Sequence, residues 1–280
     1  MQRLRANGAE FEYETVGSGE PLVLIHGSII GDAFKPLLAE SVLTSRYQVT
    51  SYHRRGLMGS SRHNGPFSLA DQAADALAVI RQVANGRAHV VGHSYGGATA
   101  LQLTLDAQDA VHSLVLLEPA GLPVPSAEAF FARIGPIVAS YESGDRRGAV
   151  DAFLTAVSGP DYRSGLDAAV PGWFEQSVAD IDTFFQVELP ALGEWQFTEE
   201  FARHISQPVL SVLGGDSGKI TDAFPEGHAL LQSWLPQAVS FVLPGATLGL
   251  QMQNPRGLAE ALVAFLVKHP MPARTLAAAR

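Results

Sequence analysis

The sequence predicts an α/β protein: a mostly parallel, eight-stranded sheet with helices on both faces and a helical insertion acting as a cap. Three observations carry that expectation. Short apolar runs alternate with helix-period segments through residues 1–121 and again through 208–280. The runs close on Gly-rich or polar turns. Between 122 and 207 the alternation stops, and helical segments broken by Pro and Gly take over. The expected organisation is a core domain of 1–121 and 208–280 and a cap domain of 122–207. A chain of 280 residues, 46% of them hydrophobic, can bury a core of that size.

Residues 3–7 and 10–15 alternate around Gly8 and predict an opening hairpin. Residues 21–25, Pro-Leu-Val-Leu-Ile, form a continuous apolar strand that runs into His26-Gly27-Ser28. A helix over 32–43 and a strand over 47–52 follow. The segment 54–61 is Gly-rich but lacks the spacing of a dinucleotide fingerprint or a phosphate loop, so it reads as a turn. Ser68 opens an amphipathic helix with Leu69, Ala73, Leu77, Ile80 and Val83 at helical spacing, and Ser68 and Asp71 stand as its cap. A Val-rich strand at 87–91 then meets Gly92-His93-Ser94-Tyr95-Gly96-Gly97, and a helix covers 98–107. The strand at 111–117 ends in Glu118-Pro119. Helices are expected over 127–138, 147–157 and 174–187. Strands return at 208–213, before Gly214-Gly215-Asp216-Ser217, and at 239–243. A helix over 256–268 closes the fold, and the tail from 270 is expected to be loosely held.

A serine inside Gly-x-Ser-x-Gly, between a buried strand and a helix, is the pattern of a nucleophile elbow. The turn is so sharp that a Cβ at Gly92 or Gly96 would meet the neighbouring backbone. It lifts Ser94 clear of the sheet, at a helix N-terminus whose field favours developing negative charge. In this arrangement the oxyanion donors are the backbone N–H groups of Ser28 and Tyr95. His26 reads as a brace for its loop. Ser28, Ser94 and Glu118 all fall at the carboxyl ends of strands, where ligands of such sheets bind.

The stretch 122–207 holds 12 of the 23 aromatic residues, among them Phe130, Phe131, Trp173, Phe184, Phe185 and Trp195. It predicts a cap lining an apolar pocket, so the expected partner is a hydrophobic small molecule. A net charge of −9 with only 17% charged residues gives no footprint for nucleic acid or an anionic membrane surface. The chain has no cysteine, which excludes disulfides and thiolate chemistry. No apolar signal run follows Met1-Gln2-Arg3-Leu4-Arg5, and a cytoplasmic location is the expectation. No metal-ligand spacing is present, and no cofactor is expected.

These motifs resemble the α/β-hydrolase fold family over nearly the whole chain. The resemblance implies a triad of nucleophile, acid and histidine in chain order. Ser94 matches the nucleophile. The commoner acid position, counted as Gly-x-x-Asp from Gly214, holds Ser217, with Asp216 one residue early. A minority of the family, including some lactone hydrolases, place a Glu after the strand that follows the nucleophile helix, and Glu118 matches it. The family's Pro-Gly-x-x-His frame is kept in Pro244-Gly245-Ala246-Thr247, but Leu248 stands where the histidine is expected. Leucine accepts no proton, so Ser94 lacks its general base. Three accounts are open: a deliberate His-to-Leu change, a natural non-hydrolytic member, or a stand-in histidine from His53, His93 or His228. The implied function is hydrolysis of carboxylic esters or lactones with a bulky apolar body, impaired at position 248. The alternatives are a small-molecule binding protein, or a C–C hydrolase or lyase, on the same scaffold.

Overall fold

The computed structural model describes residues 1–63, 65–164 and 166–272. Eight strands form one sheet: β1 (Gln2–Ala6), β2 (Ala9–Val16), β3 (Glu20–Ile25), β4 (Tyr47–Tyr52), β5 (Ala88–His93), β6 (Val111–Leu117), β7 (Val209–Gly214) and β8 (Ala238–Leu243). Their spatial order is β1-β2-β4-β3-β5-β6-β7-β8. β1–β2 and β2–β4 pair antiparallel, and the remaining pairs are parallel. The central strands are apolar without a break because both faces are covered, and every residue of β5 is buried.

The side-chain period of two divides each strand between two cores. Val23, Ile25, Val90, Leu114, Leu116 and Val209 face the helices Leu69–Val83, Tyr95–Asp106 and Ala223–Trp234. Leu22, Leu24, Val91, Val115, Leu117 and Leu210 face Phe34, Leu37 and the helix Pro255–Leu266. The Leu69–Val83 helix starts on a reciprocal cap: the Asp71 N–H donates to Ser68 Oγ at 3.1 Å, and the Ser68 N–H to Asp71 Oδ2 at 2.9 Å.

The helix expected over 32–43 is broken. Two single turns, Lys35–Leu38 and Ser41–Thr44, flank Glu40, whose backbone is extended at φ −77°, ψ 104°. Burial of Leu37, Leu38 and Leu43 against the sheet outweighs helical continuity there. Near the described end of the chain the Met271 N–H donates to Glu20 Oε1 at 3.1 Å, and most of the tail expected to be loosely held is not described. Residues 273–280 lie outside the described residues.

Helices Ala127–Glu142, Arg146–Ser158 and Trp173–Thr183 build a third apolar cluster over the carboxyl ends of the strands. Ile134, Val150, Leu154, Trp173, Ile181 and Phe184 meet Ile29, Ile30, Ala33 and Leu248 in it. Polar contacts pin the third of these helices to the loop after β4. Asp180 Oδ2 accepts the Met58 N–H at 2.7 Å, Asp180 Oδ1 pairs with Arg62 Nη2 at 2.6 Å, and Thr183 Oγ1 donates to Gly56 O at 2.6 Å. Phe197, Ala202 and Ile205 pack instead with the core beneath the sheet. Among the described residues no helix is long and apolar enough to cross a membrane.

Candidate active site

Ser94 sits between β5 and the Tyr95–Asp106 helix with φ 50° and ψ −118°, outside the regions an L-residue prefers. The close packing that the glycines permit enforces this geometry. A Cβ on Gly96 would lie 2.1 Å from Ile25 O, and one on Gly92 2.4 Å from Gly96 O. The elbow is tied to the end of β6 on both sides of the serine: the Ser94 N–H donates to Leu117 O, and the Ala120 N–H to Ser94 O, each at 3.0 Å. Ser94 Oγ makes no hydrogen bond among the described residues.

Ser28 and Tyr95 line the same cavity as Ser94. Among the described residues their backbone N–H groups donate to no protein acceptor. One amide ends the loop after β3, and the other opens the helix whose N-terminus carries Ser94. Two amides and a helix terminus together can stabilise a negative oxygen formed beside the serine.

The loop bearing Ser28 is held from below. His26 donates through Nδ1 to Gly27 O at 2.7 Å and accepts the Arg54 N–H on Nε2 at 3.0 Å, which makes it the brace the sequence suggested. Arg54, fully buried, donates through Nε to His26 O and through Nη2 to Gly27 O, both at 2.9 Å. Its guanidinium lies 4.8 Å from the centroid of the Tyr95 ring. Its Nη2 is also 2.5 Å from Oε1 of Glu188, a fully buried carboxylate on the cap.

Glu118 follows β6 with φ 44° and is buried. Its Oε1 accepts the Gly214 N–H at 2.8 Å. Burial lifts the carboxyl to about pH 7, against the opposing pull of Ser217 and the Gly214 N–H. Asp216, the other candidate acid, turns outward and pairs with Lys219 Nζ at 2.6 Å.

Leu248 lines the cavity with Ser94 and packs in the cap's apolar cluster. Its carbonyl accepts from His93 Nε2 at 2.8 Å, while Gln251 Nε2 donates to His93 Nδ1 at 3.1 Å. This pairing requires the proton on Nε2 and leaves Nδ1 already engaged. Burial holds the ring down at about pH 4, so it is neutral near pH 7. His53 is spent between Asp32 Oδ1 at 2.9 Å and Glu12 Oε2 at 3.3 Å, and His228 between Ser211 Oγ at 2.8 Å and Ser240 Oγ at 2.7 Å. None of the three has a free ring nitrogen to offer Ser94.

The cavity offers about 90 Å³ of space to the centres of water-sized molecules. Phe130, Phe131 and Phe184 line it, as the aromatic-rich cap suggested. Trp173, Phe185 and Trp195 do not. Trp173 packs edge-on to Tyr162, Phe185 stacks on Tyr141, and Trp195 stacks on Phe197 while donating to Gln102 Oε1 at 2.9 Å. The sequence reading missed Arg54 and Glu188. The one available signal was a carboxylate beside the apolar residues Val187 and Leu189, just after Phe184-Phe185. Among the described residues no group of three or more His, Asp or Glu is arranged to hold a metal ion.

Known proteins agree with this architecture. A protein of Azorhizobium caulinodans named carbamate hydrolase RutD is 34% identical over 118 residues, 42% of this chain and 44% of that protein. A soluble epoxide hydrolase of Corynebacterium is 31% identical over 121 residues, 40% of this chain and 39% of that one. The matched stretches thus span less than half of these relatives. Among solved structures, an esterase from Thermogutta terrifontis superposes with a TM-score of 0.79 at 21% identity, covering 96% of this chain and 100% of that one. An enol-lactonase from Burkholderia xenovorans LB400 superposes with a TM-score of 0.79 at 20% identity, covering 95% and 100%. At these identities the likeness is one of fold. The model of the alpha/beta hydrolase fold family matches residues 20–247, and the chain belongs to that family.

Proposed function

We propose that this chain is built to bind carboxylic esters or lactones with a bulky apolar body and to attack their carbonyl with Ser94, and that Leu248 disables its turnover. The observation that carries the reading is the strained Ser94 at the base of an apolar cavity, flanked by the unengaged amides of Ser28 and Tyr95. Oγ would add to the acyl carbon, and the carbonyl oxygen, becoming negative, would take both N–H groups. Glu118 would orient a histidine at position 248, and that histidine would take the serine proton and return it to the leaving alcohol. With leucine there, no group receives the proton. A serine rather than an aspartate at the elbow argues against dehalogenase chemistry. The names of one relative and two neighbours, on a carbamate, an ester and an enol-lactone, share attack at an acyl carbon, whereas the epoxide hydrolase among the relatives opens a different bond.

A second reading is a protein that binds a hydrophobic small molecule without cleaving it. Its support is the burial of Leu248 among Ile29, Ile30 and the cap residues, a packed apolar position rather than a gap. One experiment separates the two. Leu248→His should hydrolyse p-nitrophenyl esters or macrolactones. No gain of turnover in a folded variant, together with intact ligand recovered by mass spectrometry, would favour the binding protein.

A further inference from the structure

Two further spaces adjoin the apolar cavity. The inner one is small: about 40 Å³ is open to the centres of water-sized molecules, room for about three waters. Ser28, Ser94, Phe153, Val157 and Leu248 line it and also line the apolar cavity. The outer one offers about 360 Å³ on the same measure. Ile30, Leu154, Ser158, Gly249 and Met252 line both it and the inner space. A layer of side chains thus divides each space from the next, and the half-buried Ser94 stands where the inner space meets the apolar cavity.

The outer chamber has a polar rim. Asp161, Ser164, Gly245 and Gln253 are exposed there, while Ile30, Leu154 and Gly249 are buried at its floor. Hydrogen bonds tie cap to core beside it: Thr247 Oγ1 donates to Ser158 O at 3.3 Å, and the Thr247 N–H to Gln253 Oε1 at 2.7 Å. Tyr162, in its wall, donates to Asp151 Oδ1 at 2.6 Å. Met252 is the adaptable member of the wall, unbranched and half-buried. The apolar cavity has the opposite build. Among its described lining residues only Ser28, Ser94, Tyr95 and Glu188 carry polar side chains, and Phe131 marks its exposed side. An apolar ligand body seated there excludes water from that side. A small polar molecule then needs another way to Ser94.

We infer that the outer chamber is a second entrance to Ser94, passing water and small polar molecules such as a short alcohol while the apolar cavity is occupied. Met252 and Leu248 are its partitions. Met252 stands between the chamber and the inner space, and Leu248 between the inner space and the apolar cavity. The apolar part of an ester then fills one cavity, and the water or short alcohol of the reaction uses the other. That use rests on the reading of the cavity as an acyl pocket; the entrance itself is tested without it.

The chain has no cysteine, so Ser94→Cys supplies its only thiol. Two methanethiosulfonates label that thiol as a disulfide, one carrying a 2-hydroxyethyl group and one a decyl chain. Mass spectrometry follows each rate. Ala127→Trp is added to narrow the apolar cavity, one helical turn from Phe131. It should slow the decyl reagent about tenfold and leave the hydroxyethyl reagent within about twofold. Adding Met252→Trp to that protein should then slow the hydroxyethyl reagent about tenfold. Met252→Ala in its place should speed the same reagent about threefold. Unfolding would expose the thiol and speed both reagents, so a slowing reports the route and not damage to the fold. If Met252→Trp unfolds the chain, Met252→Ala carries the test. Equal slowing of both reagents by Ala127→Trp, with no response to either change at Met252, means a single entrance and overturns the inference while leaving the acyl-pocket reading in place. A decyl rate that Ala127→Trp does not alter removes the acyl-pocket reading instead, and the Met252 variants still decide the second entrance.

Discussion

Glu118 Oε1 accepts the Gly214 N–H at 2.8 Å, while Oε2 of the same carboxylate has no well-formed hydrogen bond among the described residues. The Gly214 N–H holds the acid at the end of β7, one turn of chain from the position where the family's commoner acid would stand. The Ser217 side chain also draws on this carboxylate.

Placing a histidine at position 248 is the most direct experiment. Leu248→His should raise turnover of p-nitrophenyl esters by about 1,000-fold or more, since removing the histidine of a serine protease costs on the order of 10⁶ in kcat. Ser94→Ala in the same background should abolish the gain. Loss of the buried leucine should cost about 2 kcal/mol, read as a lower melting temperature.

The Glu118 carboxyl makes stability fall as pH rises. Its pKa is near 4.5 when unfolded and about 7 in the fold. Between those values the folded state holds more protons than the unfolded state, so ΔG of unfolding decreases with pH and levels off above 7. The full effect is at most about 3 kcal/mol. Glu118→Gln should remove this fall and melt higher than the parent at pH 8. Thermal melts from pH 4.5 to 8 that are parallel for parent and variant would contradict the assignment.

Arg54→Ala should destabilise strongly, by about 3–5 kcal/mol, because it strands the Glu188 carboxylate and frees the His26 and Gly27 carbonyls. Arg54→Met/Glu188→Leu together should cost much less than the sum of the two single changes, since a buried pair replaced by apolar groups leaves no charge behind. Urea denaturation of the four proteins measures the coupling.

Gly96→Ala should compromise the elbow itself. With Ile25 O only 2.1 Å from the added Cβ, the backbone must shift. The expected cost is about 3 kcal/mol or more, with loss of ligand binding in whatever protein folds. Gly135→Ala, at a cap glycine with no atom within 4 Å of its Cβ, is the control and should be close to neutral or stabilising.

Much of this molecule could be read from short-range order alone. Strands such as 21–25 and 111–117 announce themselves by apolar runs, the Ser68 helix by its spacing and cap, and the elbow by glycines that only a sharp strand-to-helix turn requires. The leucine at 248 stood out because Pro244-Gly245-Ala246-Thr247 precedes it. Local patterns do not report which distant groups share a dry interior. Packing of segments far apart in the chain joined Glu188 to Arg54, engaged both nitrogens of His93 with Leu248 and Gln251, and set Glu118 on the Gly214 N–H. It also sent Trp195 to the core instead of the pocket. Electrostatics and hydrogen bonding depend on distances of a few ångströms between segments far apart in the chain, and those distances exist only once the sheet, the loops and the cap have closed on one another.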